Sequence, residues 1–404
     1  MRRQIFALAA LASVSLLFAS GRDTVLTPAR AQAAPAACTI PTKEAATPDQ
    51  TAWELFVAAN CRAPNGKLVW ENWIEQAQLY PPSAGLAATA GGGRHLHGSV
   101  LGALLHASTA AKGLAAATVT PGACNKMVIA PSNVTAGATI CEEVHINPSA
   151  QATIQKNGYN FRTGQMKAAA TGGKISFGTD AIEVKIDWLP ASDFASPGFS
   201  CTQATTSVYV EQIDGVCYAM VAMHITSHLI PNWLWTTFEP QDLQTNPFRC
   251  AVYGPCLDNW GATPAVAIGA ASQTAQTPQL AALMKQANLP AGFANYRLVG
   301  AQTDFTAGGR PLLNGNSITE YEAAGTAAGE SSCISCHSMS SINATGVDGA
   351  SFFATNPSPI GPAVTLPVGF ITRGFLWSMA LACPNPTNTG FQACTAPTAP
   401  PKKK

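Results

Sequence analysis

The sequence predicts an α+β chain: a largely antiparallel, sandwich-like β domain with flanking helices, followed by a small C-terminal segment of different character. Three observations carry this. Residues 182–188 (Ile-Glu-Val-Lys-Ile-Asp-Trp) alternate strictly between apolar and polar side chains, the period of a half-buried strand. Further strand-like runs at 126–130, 207–213, 216–225, 233–238 and 296–302 are separated by Gly, Pro, Ser and Asn, as in a sandwich or barrel. Two helix starts flank these runs, each with Thr as N-cap and Pro at the first helical position.

The elements follow in order. Arg2 and Arg3 precede an apolar run, Ile5 to Ala19, too short to span a bilayer and suited to a signal peptide, with Ala31-Gln32-Ala33 as a small-residue cleavage site. Residues 1–33 are therefore expected to be removed on export, to a periplasmic or extracellular destination. No later run of 18 uncharged apolar residues is present, so no membrane span is expected in the mature chain. Residues 34–46 form a Pro-marked lead-in. Thr47-Pro48-Asp49-Gln50 starts a helix with Trp53, Phe56 and Val57 on its apolar face. A second helical stretch is expected near His95 to Ala111, with Leu101, Leu104 and Leu105 in its stripe. After the β region, Thr277-Pro278 starts a helix that carries Leu280, Leu283 and Met284 and ends before Pro290. Tyr296–Gln302 is the last strand, and 318–330 a weak helix. Residues 395–404 form a Pro-rich cationic tail, expected to be disordered. The expected domains are 34–305, disulfide-stabilised α+β, and 306–394, the C-terminal segment.

Composition narrows the function classes. Of 404 residues, 47% are hydrophobic and 11% charged, against about 25% charged in an average globular protein. The formal net charge is +1. Nucleic acid is not an expected partner, because no basic face can be built. GxGxxG, GxxxxGK[ST] and GxSxG patterns are absent from the sequence, which removes the usual dinucleotide, phosphate-loop and serine-elbow chemistries.

Twelve cysteines are the unusual feature. Ten fall into neighbouring pairs, 38/61, 124/141, 201/217, 250/256 and 383/394, and five local disulfides are expected in an exported chain. Each would contribute about 2–3 kcal/mol by closing a short loop. The other two stand in Cys333-Ile334-Ser335-Cys336-His337. Two thiols at i and i+3 lie on one side of a helical turn, within reach of the two vinyl groups of one porphyrin. The adjacent His can then place a nitrogen on the iron. This is the attachment pattern of one covalent haem c, with Cys333 and Cys336 as thioether residues and His337 as proximal ligand. A zinc ribbon would need a second CxxC, which is missing. A redox dithiol would place CxxC at a strand end in a βαβ unit.

Residues 333–337 resemble a c-type cytochrome. Trp233–Glu239 and the Ser-Ser-Cys-x-x-Cys-His context are also similar to large secreted bacterial monohaem proteins. The resemblance implies one-electron transfer in the bacterial cell envelope, with an unidentified redox protein as partner. Met379 lies 42 residues beyond His337 in an apolar run and is the first candidate for the distal iron ligand; His224, in the strand-like run 216–225, is the second. An open distal face would instead suit a peroxidase- or oxygenase-like haem enzyme, and a third possibility is a ligand-binding module with structural haem. His224 and His228 are four apart, but the general-base Glu of the zincin pattern is missing. Trp233, Trp235 and Phe238 either wall a haem or ligand pocket or pack as core.

Overall fold

The structure is a computed structural model that describes residues 36–80, 94, 96–98, 124–126, 134–135, 137–194, 200–202, 207–241, 258–263, 275–316, 318–320, 331–349 and 360–382. Expectations for the signal peptide, most of the 95–111 and 318–330 helices, the 250/256 and 383/394 pairs and the C-terminal tail lie outside these residues.

The chain is mixed α+β, built on one large antiparallel sheet. The strands are β1 (Ile74–Glu75), β2 (Asn125–Lys126), β3 (Thr139–Ile146), β4 (Ile182–Pro190), β5 (Val210–Ile213), β6 (Val216–Ser227), β7 (Leu234–Pro240), β8 (Ala262–Thr263), β9 (Ala275–Gln276), β10 (Tyr296–Gln302), β11 (Thr306–Ala307), β12 (Arg310–Pro311), β13 (Ser341–Asn343) and β14 (Phe370–Thr372). Eight of them form the sheet, in the order β1-β3-β4-β6-β7-β10, with β2 on β3 and β5 on β6. The pairs β8–β9, β11–β12 and β13–β14 are separate ribbons.

Among the described residues six helices flank the sheet: α1 (Pro48–Ala59), α2 (Gln76–Leu79), α3 (Pro148–Lys156), α4 (Arg162–Ala170), α5 (Pro278–Ala287) and α6 (Cys333–His337). The caps expected for α1 and α5 are formed: the Thr47 hydroxyl accepts from the Gln50 amide, and that of Thr277 from the Leu280 amide. His97, at the start of the expected 95–111 helix, instead forms an isolated β-bridge with Glu142. Three of the five expected disulfides, Cys38–Cys61, Cys124–Cys141 and Cys201–Cys217, are present, and Cys333 and Cys336 are free.

The two faces of the sheet differ in chemistry. One carries Ile182, Val184, Ile186, Met223, Ile225, Phe238 and Leu298 against Trp53, Leu55 and Phe56 of α1 and Leu280 of α5, forming the larger apolar core. Full burial of such side chains stabilises by about 1.5–3 kcal/mol each. On the opposite face a cross-strand row runs Val144–Lys185–His224–Thr237–Gly300, with Glu142 opposite Asp187 beside it. The segment containing α6 and β13–β14 covers part of this face. A second apolar cluster there joins Trp233 and Trp235 to Ile334, Leu376 and Met379. Described residues on both sides of position 305 thus share this cluster.

The strand at 182–188 corrects one expectation. Alternation predicts a polar face open to water, yet Glu183 and Asp187 are buried. The aromatic trio also divides: Trp233 and Trp235 lie in the cluster beside α6, and Phe238 in the other core. Among the described residues no helix is long and apolar enough to cross a membrane.

Candidate functional site

The Cys-x-x-Cys-His segment forms a single helical turn, α6, whose entry is held by a strand residue. Gln302, the last residue of β10, accepts from the Ile334 amide (3.1 Å) and donates through Nε2 to the Ser332 hydroxyl (2.9 Å) and the Leu312 carbonyl (2.8 Å). One side chain thereby satisfies a first-turn amide that the helix cannot satisfy itself. Ile334 is fully buried. Ser335 donates to the Gly361 carbonyl (2.6 Å), and Trp377 Nε1 to the Cys336 carbonyl (3.1 Å).

Cys333 Sγ lies 3.5 Å from the Asn314 carbonyl oxygen and 4.0 Å from Thr237 Oγ1 of β7. Loss of water around the sulfurs, and next the negative charge of Glu320, push both thiols up to about 12. They are neutral thiols at physiological pH. Reactive dithiols have the opposite property, a thiolate stabilised by nearby positive charge or a helix N-terminus.

His337 is oriented through one ring nitrogen. Its Nδ1 donates to the Phe375 carbonyl (2.7 Å), which leaves Nε2 carrying the lone pair. Burial, reinforced by the Lys185 and His224 charges and partly opposed by this bond, pushes the imidazole down to about 3. It is therefore neutral, the form that ligates a metal. Phe375 itself sits in the left-handed region (φ +68°), directly after Gly374 (φ +60°). A Cβ at Gly374 would lie 2.8 Å from the Phe177 ring, so this position admits only glycine. Arg373, fully buried, anchors the same loop. Its guanidinium donates to Gln165 Oε1 (2.7 Å), the Ser341 carbonyl (2.6 Å) and both oxygens of Asp348 (3.1 and 2.7 Å).

Beside the motif lies a set of charged side chains that the sequence places on a strand's outer face. Thr237 donates its one hydroxyl proton to the Asn314 carbonyl (2.8 Å), so His224 Nδ1, 3.0 Å from the same oxygen, is the donor to it. His224 Nε2 then faces Glu320 (3.5 Å) and Asp187 (3.9 Å). Asp187 accepts from Thr319 (3.0 Å), and Lys185 Nζ lies 3.4 Å from Glu142 and 3.9 Å from Asp187. Burial pushes Asp187 up to about 7, with Glu142 and Glu320 adding to the shift and Lys185 opposing it. Lys185 is held above its ordinary value by Asp187, Glu142 and Glu320, against the effect of burial. The arrangement can hold and move a proton near neutral pH.

No family model, curated protein or solved structure matches this chain. The site therefore stands on its own chemistry. Cys333, Cys336 and His337, expected to act together, are adjacent on one turn, with the sulfurs unbonded and His337 Nε2 unprotonated. Two neutral thiols and one oriented neutral imidazole fit the donor set of covalent haem c. Met379 is fully buried in a 3-10 turn (Trp377–Leu381), in the cluster that contains Ile334, and its carbonyl accepts from Gln165 (2.9 Å). His224 occupies the polar row described above. Among the described residues no group of three or more His, Cys, Asp or Glu is gathered as for a metal ion. The residues that sequence reasoning missed are Glu142, Lys185, Asp187 and Glu320. Lys185 and Asp187 are signalled by the charge at every second position of β4, whereas Glu142 on β3 and Glu320 carry no such signal.

Proposed function

We propose that this chain is an exported protein that attaches one haem c through Cys333 and Cys336, with His337 as proximal iron ligand, and that it carries single electrons. The observation that carries the proposal is the hydrogen bond from His337 Nδ1 to Phe375, which fixes the tautomer with Nε2 as ligand atom. A bound haem supplies an iron that cycles between Fe(II) and Fe(III). The rest belongs to the chain. Gln302 sets the entry of α6, Gly374 and Arg373 place the Phe375 carbonyl, and Trp235 lies against the His337 ring with centroids 4.4 Å apart. Met379 is the first candidate for the far side of the iron, because its side chain lies in the apolar cluster with Ile334. His224 is the second. Disulfides formed by three neighbouring pairs support export to an oxidising compartment.

One observation favours a second function, a haem enzyme with an open distal site. His224, Asp187, Lys185 and Glu320 form an acid–base set that plain electron carriage does not need.

Absorption spectra of the mature chain, made in a host with haem-maturation machinery, test both. The expected result is a covalently bound haem, low-spin and six-coordinate when reduced and unresponsive to CO. Met379→Ala should then admit CO and remove the sulfur-to-iron band; an unchanged spectrum transfers the distal role to His224. CO binding by the unaltered protein supports the enzyme. Chain that carries no covalent haem, or a Cys333→Ala, Cys336→Ala double variant that still holds haem covalently, ends the proposal.

A further inference from the structure

A line of rings leads from His337 towards the surface. Trp235 is in near contact with the His337 ring at 4.4 Å, Trp233 is 6.4 Å from Trp235, and His228 is 4.8 Å from Trp233. Both tryptophans are 2% exposed, whereas His228 is half-buried and Pro231 and Asn232 at the tip of the β6–β7 hairpin are exposed. The line is pinned at two points. Trp235 Nε1 donates to the Asn232 carbonyl (2.9 Å), and the Trp233 amide donates to the Ile230 carbonyl (2.9 Å).

The backbone supplies an independent signal. Trp233 has φ +62°, a left-handed conformation that costs a bulky residue free energy and that Gly or Asn would adopt more readily. The turn therefore does not explain a tryptophan there, and the ring must serve through what it touches. Its neighbours are Trp235, His228 and Phe177.

We propose that Trp235 and Trp233 form an electron path between the haem c assigned to Cys333–His337 and the β6–β7 hairpin tip. The proposal rests on that haem assignment. One electron leaves a one-electron donor at the tip, which is oxidised, and arrives at the ferric iron, which is reduced; no bond forms or breaks. Electronic coupling decays steeply with the gap between donor and acceptor orbitals. Successive π systems in near contact replace one long gap by short ones.

The test uses the full mature chain with haem attached. A ruthenium polypyridyl photoreductant is coupled to Asn232→Cys at the tip, or to Val368→Cys, an exposed site on the β14 side. Flash-induced haem reduction is followed by absorbance. The tip-labelled protein should show a fast phase that Trp233→Leu and Trp235→Leu each abolish, while reduction from position 368 stays unchanged. Trp235→Phe, which keeps a ring against His337, should retain the fast phase and shows that its loss is not a folding defect. If the fast phase survives both leucine variants in protein that carries covalent haem, the path is overturned and the haem assignment stands. If no covalent haem attaches, both fall.

Discussion

Glu183 offers the sharpest quantitative test of the buried polar face. The side chain is buried on β4, accepts from the Ser378 hydroxyl, and is pushed from 4.5 up to about 7, chiefly by burial, with the nearby Glu142 charge adding to it. The folded state therefore holds a proton that the unfolded chain releases at lower pH. Stability is complete below about pH 4.5 and is lost as the pH rises towards 7, where Glu183 becomes a buried anion. At 1.36 kcal/mol per pK unit, the rise corresponds to about 3 kcal/mol. Glu183→Gln keeps the acceptor for Ser378 and removes the charge. Urea unfolding of both proteins at about pH 4.5 and about pH 8 gives four stabilities. The variant should gain about 3 kcal/mol relative to the parent between the two conditions. Asp187 also titrates in this window, but equally in both proteins, so it cancels. A variant whose relative stability is the same at both pH values would falsify the assignment of Glu183 as a buried, proton-holding carboxyl.

Two further outcomes are expected. Arg373→Met strips Asp348, Gln165 and the Ser341 carbonyl of their shared donor. Because Arg162 still pairs with Asp348, the loss should fall at the lower end of the range for a broken buried pair, about 3 kcal/mol. Thermal unfolding reads it, and a loss too small to measure would mean that the guanidinium does not anchor the Phe375 loop. In haem-free protein, Cys333 and Cys336, both held near 12, should react with iodoacetamide at about pH 8 far more slowly than an unperturbed thiol, whose pKa is about 8.5. Faster alkylation than that of a free peptide thiol would point to an activated dithiol and away from haem attachment.

Local chemistry was legible in the sequence wherever it acts within a few residues. Thr47 and Thr277 cap the helices that their Pro and apolar spacing announce, and Tyr296–Gln302 forms a strand with the expected bounds. The disulfides among the described residues join nearest-neighbour cysteines. What escaped depends on distant partners. The β3 strand was missed because Glu142, Glu143 and His145 interrupt its apolar character; the two carboxylates find Arg94, Lys185 and Trp188, and His145 the Trp73 carbonyl, all elsewhere in the chain. Helices α3 and α4 carry few apolar residues and give little periodic signal. At the site, the motif was legible because Cys333, Cys336 and His337 lie within five residues. The charged row beside it was not, because period-two patterning reports that a face is polar without reporting what lies over it.

The contrast between the two faces of β4 also protects the sheet against error. Side chains on a strand repeat every two residues, so a slip of one position moves each of them to the other side. In β4 such a slip would drive Glu183, Lys185 and Asp187 into the apolar layer under α1 and leave Ile182, Val184 and Ile186 facing the carboxylates around α6. Misregistered sheets therefore lose on both sides at once. The side chains proposed to handle protons also discriminate against wrong pairings, so replacing them with apolar residues should cost uniqueness of fold before it costs stability.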